Sequence, residues 1–294
     1  MKGSDLVGAV VTSVVWGLTF IGIKYGVEEA PPFLLTALRF TFAALPLAFF
    51  VKPPAAPASR IALYGAIIGV GQFGLLFLGV REGMPVGLAS LVIQSQVYFT
   101  ILFAAVALGE RPTREQWIGG AVALAGMVVI ASTRWGGASL RPFALTLGAA
   151  VCWGVGNVVG KRIGRVDALS FVVWTSLVAP LPMAALSWWL EPQRTLAALT
   201  HPSLKLALSV AGIAYGGTVL AYGLWARLLA KYPTAVVAPF ALLVPVVGMI
   251  SARLLFDEPT TPAELAGAAL VMAGLAVNVL GARLRATSRR RIAA

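Results

Sequence analysis

Ten apolar runs of roughly 20 residues each, separated by charged or Pro/Gly-rich breaks, constrain this chain more than any other feature. They cover residues 6–26, 33–51, 61–80, 86–108, 115–133, 142–160, 168–189, 205–226, 234–256 and 263–282. In hydrocarbon every backbone N–H and C=O must find an internal partner, so a spanning segment is a helix or a strand of a closed barrel. Runs this long are helices. With 59% hydrophobic and 12% charged residues among 294, and a mean hydropathy of +0.88, a soluble domain would lack polar surface. The longest connections, near 52–60 and 190–204, leave no room for an extramembrane catalytic domain. The first run is long enough to span and is followed by no small-residue cleavage site, so it reads as a span and not as a leader.

A net charge of +12 on a soluble protein would suggest nucleic acid, but here most of the basic residues lie between the apolar runs and in the tail. With the N-terminus inside, the cytoplasmic segments collect fifteen of the 23 basic residues: Lys2, Lys52, Arg60, Arg111, Arg114, Lys161, Arg162, Arg165, Arg227, Lys231 and the tail Arg283, Arg285, Arg289, Arg290 and Arg291. Outer segments keep only Arg81, Arg134, Arg141, Arg194 and Lys205. The positive-inside rule then predicts cytoplasmic termini. The single cysteine, Cys152, excludes an intramolecular disulfide and a cysteine metal cluster, and reads as a packing residue. No cofactor is expected.

The chain resembles itself. Val14-Val15-Trp16-Gly17 aligns with Val151-Cys152-Trp153-Gly154 and brings Lys24 onto Lys161; farther along, Pro85, Glu110, Gly119 and Ala125-Gly126 align with Pro233, Glu258, Gly267 and Ala273-Gly274. Two repeats, 1–140 and 141–294, then hold five spans each. An odd count inserts the second upside down relative to the first. Inverted repeats suit a carrier, because two similar halves can exchange conformations and open a midplane site to either side.

Trp16-Gly17 and Trp153-Gly154, with Gly109-Glu110-Arg111-Pro112-Thr113 and Asp257-Glu258-Pro259-Thr260 before the fifth and tenth spans, give the chain a family likeness. It resembles the ten-span branch of the drug/metabolite transporter superfamily, built from paired EamA-type repeats, and within it the YddG-type aromatic amino-acid exporters. The resemblance covers essentially the whole chain. It implies an all-α bundle around a central cavity, in a bacterial inner membrane, exporting amino acids or related metabolites. Export of drugs or other metabolites is the alternative within the superfamily.

Polar residues inside spans are costly and mark candidate sites. Gln94 and Tyr98 lie four apart on one helix face, with Gln96 pointing elsewhere. Gln72 is near the middle of the third span. Trp153 and Asn157 share a face of the sixth, Trp16 and Thr19 roughly one of the first, and Tyr215, Thr218 and Tyr222 form a stripe along the eighth. Trp16, Gln72, Gln94, Tyr98, Trp153, Asn157, Tyr215 and Tyr222 are therefore the expected substrate-binding set, amides and hydroxyls for polar ends and aromatic walls for an apolar side chain. Bonding between neighbouring helices is the competing role for the same residues. Trp188 and Trp189 end a span as interfacial anchors, and Glu110 and Glu258 read as caps of the helices they precede.

Pro239 and Pro245 in the ninth span correspond to Leu91 and Val97 in the fourth, so the two halves should differ locally there; Pro180 and Pro182 are candidate kinks of the seventh. All eleven acidic residues fall in loops or near span ends, and the one histidine, His201, is in a loop. Without a midplane titratable group, downhill export is favoured over proton coupling. Lys24, Arg39 and Arg253 lie toward outer span ends, where snorkelling is the default and contact with a substrate carboxylate is the alternative for Lys24 or Arg39. An intramembrane enzyme would need an embedded nucleophile and base, or a metal-ligand set, and no span offers either. The expected partners are a small-molecule substrate and the bilayer, with no nucleic acid and a monomer sufficing.

Overall fold

The computed structural model describes residues 1–133, 139–164, 166–232 and 237–292. Arg134, Arg165 and Pro233 lie outside the described residues, as do the side chains of Pro239 and of the five tail arginines. Every described element is helical. The apolar helices are α1 (Gly3–Glu29), α2 (Pro32–Ala48), α3 (Ala58–Arg81), α4 (Val86–Leu108), α5 (Arg114–Ser132), α6 (Arg141–Ile163), α7 (Ala168–Leu190), α8 (204–231), α9 (238–256) and α10 (Pro262–Ile292). Seven of them, α1 and α3 through α8, are long and apolar enough to cross a membrane by length and composition. The apolar stretches of α2, α9 and α10 are shorter. A short helix, Pro192–Thr200, joins α7 to α8.

Local chemistry repeats between the halves. Thr113 and Gln116 form a reciprocal capping box that starts α5, and Thr261 and Glu264 do the same for α10. Upstream, Gly109 at φ +66° and Asp257 at φ +50° turn the chain through the left-handed region, ending α4 and α9. The helices themselves carry matching irregularities. A π-helical stretch interrupts α3 at Ala66–Gln72 and α8 at Gly212–Leu220; a 3₁₀ turn breaks α4 at Ile93–Ser95, and another opens α9 at Ala238–Leu242. The fourth and ninth spans both carry a 3₁₀ turn, and they differ locally: it is three residues without a proline in α4 and five including Pro239 in α9. Helix α7 is interrupted just before Pro180, as its prolines predict.

One buried apolar cluster runs through both halves, from Phe20 and Ile23 to Val271 and Leu275. The tightest joint is α5 on α10. A Cβ at Gly119 would lie 2.6 Å from the Gly274 carbonyl oxygen, and one at Gly126 would lie 2.6 Å from that of Gly267. Small residues let the backbones meet where a side chain would hold them apart. The contact order, 119 with 274 and 126 with 267, makes the two helices antiparallel, and each contact maps onto the other when the halves are exchanged. The same exchange relates Gly17 against Val247 to Gly154 against Phe99.

Candidate functional site

The polar residues expected to share a cavity differ in the contacts they make. Trp16 lies in α1 against α8, where its Nε1 donates to the Gly217 carbonyl at 3.1 Å. Its ring meets Tyr222 and Trp225 with centroids 5.2 Å away. The π-helical stretch of α8 supplies that carbonyl. Gln94 sits in the 3₁₀ turn of α4 and donates to the Ala241 carbonyl, in the matching turn of α9, at 3.3 Å. Asn157 of α6 donates to Gln96 Oε1 and Thr100 Oγ1 of α4, both at 2.9 Å. Gln96 does point away from Gln94, and it is Asn157 that it meets.

Gln72 ends the π-helical stretch of α3, only 2% exposed, and its Oε1 has no hydrogen-bond partner. The Tyr98 hydroxyl is also buried and without a partner. Trp153 packs against the apolar core, and Tyr215 is 46% exposed. Among the eight expected residues, the ring contact of Trp16 with Tyr222 is the direct link the structure records. A cavity of about 640 Å³ is lined instead by Val15, Leu18, Gly22, Leu208, Ile213 and Leu255 among others. Its rim residues Leu18, Leu208 and Leu255 are exposed, so it is an apolar groove on the outside of the bundle.

Charged side chains proved more informative than their sequence positions suggest. Lys24 Nζ binds Glu258 Oε1 at 2.9 Å and lies 4.3 Å from the Phe256 ring centroid. Glu258 does not cap its own helix, a correction to expectation. Its carboxylate accepts the Val86 and Gly87 backbone N–H groups at 3.2 and 3.3 Å, capping α4 of the other half. The dipole argument is right in kind, since the carboxylate sits at a helix N-terminus, but the helix is the neighbour's. The matching pair, Lys161 with Glu110 at 3.0 Å, is also formed. Each pair thus takes its lysine from one half and its glutamate from the other. They differ in burial: Lys24 and Glu258 are 27% and 13% exposed, Lys161 and Glu110 49% and 51%.

Two further ion pairs brace neighbouring helices. Asp5 binds Lys231 and the Tyr232 hydroxyl, and Glu82 binds Arg141 at 2.9 Å. The hydrogen bond to Asp5 raises the Lys231 ammonium above the ordinary lysine range. Arg253 stays exposed and pairs with Asp257 at 3.1 Å. Snorkelling is overturned for Arg39, which is 4% exposed and covered by aromatic rings. Among the described residues no group of three or more His, Cys, Asp or Glu is placed to hold a metal.

The sequence matches the EamA-like transporter family twice, over residues 4–132 and 141–280. The chain belongs to that family. This EamA transporter is 42% identical to a probable amino-acid metabolite efflux pump of Salmonella typhimurium, over 98% of its own length and 99% of the relative's. A probable amino-acid metabolite efflux pump of Escherichia coli is 40% identical over 97% and 98%. A probable terminal-alkyne amino-acid exporter of Streptantibioticus cattleyicolor is 30% identical over 98% and 99%. A solved chain 23% identical superposes with a TM-score of 0.66, covering 96% of this chain and 99% of that one, so the fold is shared. The EamA chain is accordingly a multi-pass, all-helical membrane transporter with two repeats.

Proposed function

We propose that this transporter exports amino acids and related small metabolites from a bacterial cytoplasm by alternating access, as a carrier and not a catalyst. In this reading it is a ten-span inner-membrane protein with both termini in the cytoplasm, its repeats 1–140 and 141–294 are inverted, and a monomer suffices. The observation that carries the alternating-access part is the exchanged pairing of Lys24 with Glu258 and Lys161 with Glu110. The ten-span order puts the first pair at the outer end and the second at the cytoplasmic end. A static scaffold has no use for matched pairs at opposite ends; a carrier that loosens one end at a time does, and here the cytoplasmic pair, though formed, is the more exposed of the two.

Unequal burial supports an inward-facing state. Around the outer latch Gly87 meets Met249 and Ala252, and Ser90 meets Gly248, so α4 and α9 close that end. The other half of α4 packs on α6 instead, with Gly154 against Phe99. The cargo follows from the three relatives whose names specify amino acids. Trp16, Gln72, Gln94, Tyr98, Trp153, Asn157, Tyr215 and Tyr222 remain the proposed lining, drawn together when the halves move. The unpartnered Gln72 and Tyr98 groups favour this, because a buried polar atom left without a bond costs about 1–3 kcal/mol unless a ligand supplies one.

Cells overproducing the chain should release amino acids into the medium faster than cells carrying a vector, with the matching internal pools lowered. Mass spectrometry of medium and cell extracts reads both. Identical profiles across the amino acids and their metabolites would overturn the cargo assignment.

A further inference from the structure

Arg39 lies about two helical turns, roughly 10 Å, inside α2. Its guanidinium carbon is 3.9 Å from the Phe73 ring centroid and 5.4 and 5.9 Å from those of Phe40 and Phe77. Nε donates to Thr218 Oγ1 at 3.2 Å. Among the described residues no carboxylate pairs with it and no other acceptor bonds its terminal nitrogens, though it is only 4% exposed. A charge so placed is costly unless an anion completes its shell. Ring faces hold a cation but satisfy none of its N–H groups; a guanidinium's planar fork matches a carboxylate in a bidentate pair.

The surroundings suit a ligand more than a brace. Thr218 follows Gly217, whose carbonyl receives the Trp16 indole, so Arg39 is one contact removed from the Trp16–Tyr222 pair. Phe73 follows Gln72, whose Oε1 is free of any donor. Arg39, Phe73 and Gln72 come from the first half, Thr218 and Tyr222 from the second. Lys24, the other basic candidate, already has Glu258. We infer that Arg39 is the carboxylate-binding residue of the transport site, taking the carboxylate of a small zwitterion whose apolar side chain lies toward Trp16 and Tyr222. The inference rests on the amino-acid export reading for its ligand and on the Arg39 geometry for its residue.

The test is ligand-induced thermal stabilisation of the purified full chain in detergent, with L-phenylalanine, L-leucine, their amides and 3-phenylpropanoate as probes. The wild-type chain should bind each acid roughly 10- to 100-fold more tightly than its amide. Arg39→Gln should erase that difference by weakening the acids alone, and Arg39→Lys should restore part of it. Equal affinity of acid and amide in the wild-type chain overturns the inference without any variant, so a misfolded variant does not shield it. Equal weakening of acid and amide by Arg39→Gln, the mark of a brace, overturns it too, as does failure of every carboxylate to bind. If 3-phenylpropanoate binds through Arg39 while the amino acids do not, the residue's role stands and the amino-acid reading falls. If the amino acids bind with no dependence on Arg39, the reverse holds.

Discussion

Glu258→Ala is expected to unlock the outer end of the transporter, whereas Glu110→Ala is expected to leave conformational balance almost unchanged. The two glutamates are equivalent in sequence and each meets a lysine of the other half, so burial decides the difference. Glu258 is 13% exposed and its carboxylate holds Lys24 and two backbone N–H groups of α4 at once. Removing one member of so enclosed a network leaves a cation and two helix-end donors unsatisfied, a cost of about 3 kcal/mol. At 1.4 kcal/mol per factor of ten, the closed outer end loses roughly 100-fold in relative population. The half-exposed Glu110 pair is worth less than about 1 kcal/mol. A cysteine at Ser90, fully buried against Gly248 at this closure, reads the opening through an impermeant thiol reagent in a Cys152→Ala background. Its labelling should rise steeply with Glu258→Ala and hardly with Glu110→Ala; equal responses would contradict the latch.

Gly274→Leu should cost the fold at least about 2 kcal/mol, the usual range for overpacking against backbone. A Cβ at 274 runs into the Gly119 carbonyl and the Ala123 backbone of α5, neither of which can rotate aside. Gly126→Leu should match it, since Gly126 meets Gly267 and Val271 in the exchanged position. Gly8→Ala, with nothing within 4 Å, is the control and should be neutral or slightly stabilising. Thermal unfolding of the purified chain should show a drop on the order of 5 °C for either leucine variant. A midpoint unchanged by Gly274→Leu would mean that α5 and α10 are not joined through these glycines.

Much of this arrangement is legible before any coordinates. Apolar runs mark the helices because lipid leaves the backbone no other partner, and the repeat is visible in Trp16-Gly17, Glu110 and Gly119 because the same contacts are made twice. What the residues cannot announce is who meets whom across the halves. Glu258 looks like a cap for the helix that follows it, yet Thr261 and Glu264 do that work and free Glu258 for α4. Arg39 looks like a snorkelling residue from its distance to the helix end, and only the placement of Phe73 and Phe77 reveals that it is enclosed. The break in α4 has no proline to betray it, and from its turn Gln94 reaches across to the Ala241 carbonyl of α9. Polar residues within spans are easy to find, but a helix face records orientation and not depth, so the sequence names the eight candidates without their contacts.

Counterflow tests the central claim most directly. Purified protein in liposomes preloaded with an unlabelled amino acid, with pH difference and membrane potential both clamped at zero, is given a trace of the labelled compound outside. A carrier whose halves alternate, and whose described spans hold no midplane Asp, Glu or His, should draw the label in transiently above its external concentration, with no proton gradient supplied. Label that only equilibrates, or accumulation that appears solely when a proton gradient is imposed, would contradict the account.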